Sequence, residues 1–429
     1  MRILVIGGGG REHAIVWKLA QSEHASKMWC APGNAGIGQE RLAKNDELVK
    51  CVGIGASELE KLASFAEDQK IDLTVVGPDD PLGLGIVDLF QARGLRVWGP
   101  NKQAARFEAS KAFSQDFMER HGIPTAKAGT FSTPDDARAF AATMDGRCVI
   151  KADGLALGKG VLMCENQAEA NAAVDQIMVD QAFGSAGANV VIQEYLEGIE
   201  VSLHALCDGT TCKLFPTSQD HKRALDGDQG LNTGGMGTYS PAPFLSEAEL
   251  LDVGAKVVDP WLKGCQAEGI DYRGIIYPGV MLTQSGPKVL EFNARFGDPE
   301  TQVYLMRLKS DLVELFSACV DGTLAKETLE WSSQSAVCVV MASGGYPESY
   351  EKGKAISGLD EANAMTGVTV FHAGTKLSGE EVVTNGGRVL GVTAPGDDLA
   401  SAMAAAYAAA EKIRFEGAHL RRDIGAKAF

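Results

Sequence analysis

A chain of 429 residues is longer than one hydrophobic core ordinarily supports, so two to four domains closing over a cleft are expected. With 45% apolar and 22% charged residues the composition is that of globular domains, and no apolar run reaches the roughly 20 residues of a membrane span, which argues against a membrane role. A formal charge of −16 argues against a polymeric nucleic acid partner, while small anions can still bind at glycine loops and helix N-termini.

Residues 1 to about 100 alternate short apolar runs (3–6, 28–30, 73–76, 97–98) with amphipathic helices (about 12–21, 57–69 and 86–92). That rhythm predicts a parallel, doubly wound sheet. The start of the chain passes straight from Ile6 into glycines, without the apolar stretch and cleavage site of a signal peptide, so a cytoplasmic location is expected. Nine cysteines with no C-x-x-C pair are read as reduced thiols. Gly7-Gly8-Gly9-Gly10-Arg11 follows the first strand and opens a helix, where exposed N–H groups favour a phosphate. Three readings compete there: a dinucleotide site, a phosphate-bearing small substrate, and a tight structural turn. The first lacks support, because Glu12 and His13 stand where the third glycine belongs and no acid ends the second strand. Asn34 and the turn at 77–80 fall at neighbouring strand ends, where open α/β sheets bind ligands.

Turns at 99–101 and 122–124 bracket a helix predicted over 102–120, and Lys111 on it is uninformative alone. From 125 to 195 short strands at 148–151, 161–164 and 190–193, with a long helix before the last, form a small α+β lid. Between the first two lie Lys151, Gly154, Gly158, Lys159 and Gly160, a hairpin able to bring backbone and ammonium groups to an anion. It is not a P-loop, and the competing reading is a mobile surface loop. Glu194, Leu196 and Glu200 lie between two strands, where backbone groups can read an adenine edge and a carboxylate can take ribose hydroxyls; solvated loop acids are the alternative.

Strands at 279–283 and 288–293 are predicted to form a hairpin. Alternation over 290–295 puts Glu291, Asn293 and Arg295 on one face and Leu290, Phe292 and Ala294 on the other. Carboxylate and amide oxygens suit magnesium or manganese, and Arg295 is placed to meet a transferring phosphoryl group. The neighbouring strand, 280–283, offers no carboxylate, so nucleotide phosphates and water would complete the metal shell. The last hundred residues carry strands at 336–341 and 388–393 and an alanine-rich helix over 398–415.

Seven segments, GGGGREHA (7–14), APGNAG (31–36), SKAF (110–113), KADGLALGKGV (151–161), SQDHKR (218–223), NTGGMG (232–237) and EFNARFGDPETQ (291–302), together with FHAGTK and TNGGRVL near the end, resemble the ATP-grasp superfamily and, within it, the family of phosphoribosylamine–glycine ligases. Gly8, Asp79 and Leu231 depart from that family's pattern. The resemblance implies an α/β ATP-grasp fold: a Rossmann-like pre-ATP-grasp domain (1–104), an ATP-grasp domain (105–328) with its lid at about 124–195, and a C-terminal α+β domain (329–429). It implies a monomeric enzyme of purine biosynthesis that joins glycine to 5-phosphoribosylamine at the expense of ATP. Lys111, Lys151 and the Gly154–Gly160 hairpin, with Gly158 and Lys159, would then hold the phosphates, Glu194 and Leu196 the adenine, and Glu200 the ribose. Glu291 and Asn293 would bind Mg2+ or Mn2+. Asp220, Lys222, Asn232, Thr233, Gly234, Arg295 and Asp298 would line the substrate side, with Lys222, Arg295 and Asp298 catalytic. Gly8, Gly9, Gly10, Arg11 and Asn34 would lie nearest the sugar phosphate. A bicarbonate-using carboxylase of the same superfamily fits RFGDPE and NTGGMG less well, and a non-catalytic nucleotide sensor would be expected to have lost Glu291, Asn293 or the lysines.

Overall fold

The computed structural model describes residues 1–154 and 160–429, so Gly158 and Lys159 lie outside the described residues. The first domain runs β1 (Arg2–Gly7), α1 (Gly10–Ala20), β2 (Lys27–Pro32), β3 (Lys50–Cys51), α2 (Leu59–Asp68), β4 (Leu73–Val76), α3 (Asp79–Leu84), α4 (Ile86–Ala92) and β5 (Val97–Trp98). Its sheet is parallel throughout, in the order β3-β2-β1-β4-β5. Along β1 the alternation is direct: Ile3 and Val5 pack beneath α1, while Leu4 and Ile6 join Leu62, Ala66 and Phe90 on the other face. Both faces are therefore covered, as a parallel sheet requires. The turn expected at 77–80 instead starts α3.

The helix predicted over 102–120 is two helices, α5 (Lys102–Ala109) and α6 (Lys111–Arg120). Ser110 between them is extended (φ −135°, ψ 110°), and its Oγ accepts from the Phe113 N–H, capping α6.

The lid is the antiparallel sheet β6-β9-β7-β8, built from β6 (Ala128–Phe131), α7 (Pro134–Ala142), β7 (Arg147–Ala152), β8 (Val161–Glu165), α8 (Gln167–Val174) and β9 (Val190–Glu194). Ile150 and Ile192 pack with Ala137 and Ala170 under the two helices. The long helix expected there is short: α8 runs into a π-helical turn over Asp175–Val179.

Next come β10 (Ile199–Ser202), β11 (Ala205–Asp208), β12 (Cys212–Leu214), β13 (Gln219–Asp220), β14 (Arg223–Leu225), β15 (Gln229–Asn232), β16 (Gly237–Ser240), α9 (Glu247–Ala267), β17 (Arg273–Thr283), β18 (Gly286–Asn293), α10 (Glu300–Arg307) and α11 (Leu312–Asp321). The long strand β17 is the spine: β10 and β11 follow each other along one edge, and β18 pairs along the other. Trp261 of α9 closes one face together with Phe107, Phe117 and Phe292. Cys207 and Cys212 face each other across β11 and β12 and form a disulfide, contrary to the expectation of reduced thiols throughout.

The last part holds β19 (Ser335–Ala342), α12 (Leu359–Asn363), β20 (Thr369–His372), β21 (Thr375–Ser378), β22 (Glu381–Thr384), β23 (Arg388–Gly396) and α13 (Leu399–Ala410). Its sheet, β13-β16-β19-β23-β20, takes two strands from the middle of the chain, so no sheet boundary coincides with residue 329. Ala402, Ala406 and Ala409 let α13 lie close against it. Among the described residues no helix is long and apolar enough to cross a membrane.

Candidate active site

A cleft of about 1160 Å³ opens between the lid, the β17 sheet, the first domain and the last. Arg11, Lys111, Lys151, Gly154, Gly160, Glu194, Leu196, Glu200, Asp220, Lys222, Asn232, Thr233, Gly234, Glu291, Asn293, Arg295 and Asp298 all line it; Gly8, Gly9, Gly10 and Asn34 do not.

At one end Lys151, the penultimate residue of β7, donates from Nζ to the Leu290 carbonyl at 2.8 Å. That carbonyl is available because of a bulge: Gly279 pairs with Glu291 and Val280 with Val289, so Leu290 is the extra residue. Strict alternation therefore fails at this position, and Leu290 lines the cleft instead of lying on the core face with Phe292 and Ala294. Lys111 begins α6, and its Nζ donates to the Gly154 carbonyl at 3.0 Å. Burial pulls the Lys151 ammonium down to about 8, against the attraction of Glu291. For Glu291 burial favours the neutral acid, but the charges of Lys151, Lys222, Lys111 and Arg295 outweigh it and hold the carboxyl at about 2.

No described residue donates a hydrogen bond to the Glu291 carboxylate, although it is ionised and hemmed in by cations. Asn293 shares its face, donating from Nδ2 to the Tyr277 carbonyl (3.3 Å) and accepting at Oδ1 from Arg295 (3.3 Å). Two hard oxygens with spare lone pairs fit a magnesium or manganese ion. Among the described residues no group of three or more His, Cys, Asp or Glu is arranged to hold a metal unaided, so an ion at Glu291 and Asn293 would need further oxygen ligands from phosphate and water.

At the lid edge the Glu194 carboxylate is committed inside the protein, accepting from Lys288 Nζ at 2.6 Å and from the Lys127 N–H at 3.0 Å. Both bonds fall on Oε1, so Oε2 remains for a ligand, and beside it no described residue accepts from the Leu196 N–H. Glu200 on β10 is ion-paired with Lys222. Burial opposes charge on Lys222, yet Glu200 and Glu291 raise its affinity for the proton well above the usual lysine range, so it stays an ammonium.

Across the cleft Thr233 fastens its loop to the Lys222 carbonyl through N–H (2.7 Å) and Oγ1 (2.9 Å). Gly235 follows with φ +117°, where a Cβ would stand 2.5 Å from Pro299 Cδ and 2.7 Å from Asp220 Oδ1; only glycine fits. Asp220 is buried, and burial together with Glu300 pushes its carboxyl well above the usual range. Arg295 forms a largely buried pair with Glu108 of α5 (2.6 Å), and its Nε has no partner among the described residues. Asp298 accepts from Gln302 Nε2 (2.8 Å) and pairs with Arg388 (3.3 Å).

The glycine loop differs from the sequence reading. The Gly8 and Gly9 N–H groups, expected to be open to a phosphate, both donate to Glu12 Oε2 (3.2 and 2.7 Å). The carboxylate sits where an anion would, in a seat that requires glycine: a Cβ at Gly7 or Gly77 would fall 2.4 or 2.3 Å from Glu12 atoms. Gly10 is the first residue of α1 and packs against Gln302 and Asp298. Asn34 is likewise spent, with Nδ2 donating to the Gly8 and His372 carbonyls and Oδ1 accepting from Gly36 and Ile37. Of this group Arg11 alone reaches the cleft, steadied by Glu12 (2.6 Å) and the Phe296 carbonyl (3.1 Å).

Three domain families match the chain in succession: phosphoribosylglycinamide synthetase N domain over 1–108, its ATP-grasp (A) domain over 109–301, and its C domain over 336–427. The chain belongs to the phosphoribosylglycinamide synthetase family. Phosphoribosylamine–glycine ligase from Vibrio cholerae is 47% identical over 429 residues, covering 100% of this chain and 98% of the relative. A trifunctional purine biosynthetic protein from Gallus gallus is 50% identical, and its matched part is 42% of its length. Among solved structures, phosphoribosylamine–glycine ligase from Thermotoga maritima superposes with a TM-score of 0.84 at 34% identity, covering 99% of this chain and 100% of that one. A biotin carboxylase from Campylobacter jejuni shares the fold alone, at 14% identity and a TM-score of 0.75 over 98% of this chain and 92% of that one.

In this member of the synthetase family the cleft residues to which the sequence gives no role include Glu108, Tyr346, Arg388 and Lys427. Arg388 is the most connected. Its Nη1 donates to the carbonyls of Gly234 (2.7 Å) and Asp298 (2.5 Å), tying the NTGG loop to the RFGDPE turn. The segment TNGGRVL carries family resemblance, but nothing local in it says that residue 388 meets residue 298.

Proposed function

We propose that this chain ligates glycine to 5-phosphoribosylamine, consuming ATP and giving glycinamide ribonucleotide, ADP and phosphate in purine biosynthesis. The observation that carries the reading is the ionised Glu291 carboxylate, without a hydrogen-bond donor among the described residues, on one face with Asn293, ringed by Lys111, Lys151, Lys222 and Arg295 and sharing one cleft with the NTGG loop. Lys111 and Lys151 neutralise the polyphosphate, the Leu196 N–H reads the adenine edge, and Glu200 takes the ribose hydroxyls with the oxygen that Lys222 leaves open. Magnesium or manganese held by Glu291 and Asn293 would spread the phosphate charge as a Lewis acid.

A carboxylate oxygen of glycine attacks the γ-phosphorus as its bond to ADP breaks, and Arg295 meets the charge on the moving phosphoryl group. The product is glycyl phosphate, whose carbonyl carbon the amine of phosphoribosylamine attacks. Phosphate leaves with the bonding pair, and the amine proton passes to the departing phosphate. Lys222 holds its proton too tightly to act as a base and serves by position and hydrogen bonding. Glycyl phosphate hydrolyses in open water, so the lid sheet over the cleft protects it. Arg11 and the last domain's Arg388 line the same cleft and suit the sugar phosphate.

Purified protein given ATP, magnesium, glycine and chemically generated phosphoribosylamine should release ADP only when both co-substrates are present. Release without phosphoribosylamine, or none with it, would overturn the assignment.

A further inference from the structure

Among the described residues the hairpin β14–β15 pairs with no other strand, and Leu225 and Leu231 on it are exposed. It has no core of its own, and a lone two-stranded hairpin is marginal in water. Yet its two ends deliver Lys222 on one side and Asn232, Thr233 and Gly234 on the other to the cleft. What fixes it is the segment over 419–427. Arg421, with its side chain 0% exposed, forks onto both oxygens of Asp423 (2.8 and 2.7 Å). From Nη1 it also reaches Asp228 at the hairpin tip (3.0 Å) and the Arg223 carbonyl (3.1 Å). Around that fork the hairpin is held at every exposed turn. Asp423 accepts from the Gly227 N–H (2.9 Å), Asp226 from the Arg422 N–H (2.7 Å), the Ala224 carbonyl from His419 Nε2 (2.7 Å), and Asp228 from Lys427 Nζ (2.5 Å).

We propose that Arg421 is a positioning residue for the acceptor side of the reaction: through Asp228, Asp423 and the Arg223 carbonyl it sets where the NTGG loop stands. The proposal rests on the ligase reading above. A buried guanidinium with its four hydrogen bonds satisfied by one partner carboxylate and by the hairpin has a single rigid arrangement, whereas the hairpin alone has many. The nucleotide end is held by other elements, β7, β9 and β18, so the two ends of the cleft should respond separately.

The test is steady-state kinetics on the full chain carrying Arg421→Met, with Arg421→Lys as the conservative variant and amide hydrogen exchange beside it. In Arg421→Met the KM for phosphoribosylamine should rise about tenfold or more, the scale expected when a site group is displaced by about an ångström, while the KM for ATP stays within about twofold. Arg421→Lys should recover part of that loss. Exchange over 223–232 should quicken while exchange in β7 and β9 does not. If Arg421→Met does not fold, Asp423→Asn, which keeps the shape and weakens the fork, is read by the same two measurements. Equal changes in both KM values, or hairpin exchange that does not move, would overturn the proposal. Wild-type protein consuming ATP only with both co-substrates secures the ligase reading in the same assay, so failure of the positioning role and failure of that reading are distinguishable.

Discussion

Glu291 illustrates how charge is balanced residue by residue in the cleft. Its carboxyl is buried enough to favour protonation, and only the surrounding cations keep it ionised at about 2. Glu291→Gln removes the charge and keeps the shape; turnover should fall to background with the circular dichroism and melting curve of the wild type. Unchanged turnover would refute a ligand role. Lys151 gives a pH dependence with a definite sign. Its ammonium, lowered to about 8, is charged below that pH and neutral above, so the form that attracts a polyphosphate is lost as pH rises. The KM for ATP should therefore rise by up to about tenfold between pH 7 and pH 9, a one-proton dependence. A flat profile would place the Lys151 titration elsewhere. Glu108 acts through its partner: Glu108→Ala strands the buried Arg295 guanidinium, and thermal unfolding should show a loss of about 3 kcal/mol.

Elements place these residues, and each placement rests on a local device. Ser110 breaks one predicted helix into two and caps the second, which puts Lys111 on its first turn, facing the Gly154 carbonyl. Ser110→Ala should cost about 1 kcal/mol of stability and weaken ATP binding together, measured by melting and by nucleotide titration. The bulge at Leu290 turns a carbonyl toward Lys151. Neither device was readable in advance to the same degree. The Glu291 and Asn293 face follows from period-two alternation, which the sequence displays, and so does the parallel sheet of the first domain, from its strand and helix rhythm. The bulge depends on the register against Gly279, and a single strand does not contain its partner's register. The helix break is a matter of one serine whose hydroxyl prefers the Phe113 N–H to solvent. The glycine loop misleads for a related reason: four glycines advertise open N–H groups, but Glu12 only three residues past Gly9 already fills them.

At the scale of the whole molecule the cleft belongs to no single domain. The first contributes Arg11, the lid Lys151, the β17 sheet Glu291 and Asn293, and the last domain Arg388. Two strands from the middle of the chain, β13 and β16, are built into the last domain's sheet, and between them run Lys222 and the NTGG loop. Contacts of this length, 90 residues between Asp298 and Arg388, have no local pattern, which is why the sequence brings out Lys151, Glu291 and Asn293 and leaves out the last domain's share of the cleft. The same assembly explains how a chain of formal charge −16 serves an anionic nucleotide: Arg11, Lys111, Lys151, Lys222, Arg295 and Arg388 converge on one cavity, where Glu108, Glu194, Glu200 and Asp298 are ion-paired. The central claim is that glycine's own carboxylate oxygen is phosphorylated in that cavity. With glycine labelled by oxygen-18 in its carboxylate, one labelled oxygen should appear in the inorganic phosphate for each glycinamide ribonucleotide formed; unlabelled phosphate alongside full turnover would contradict the account.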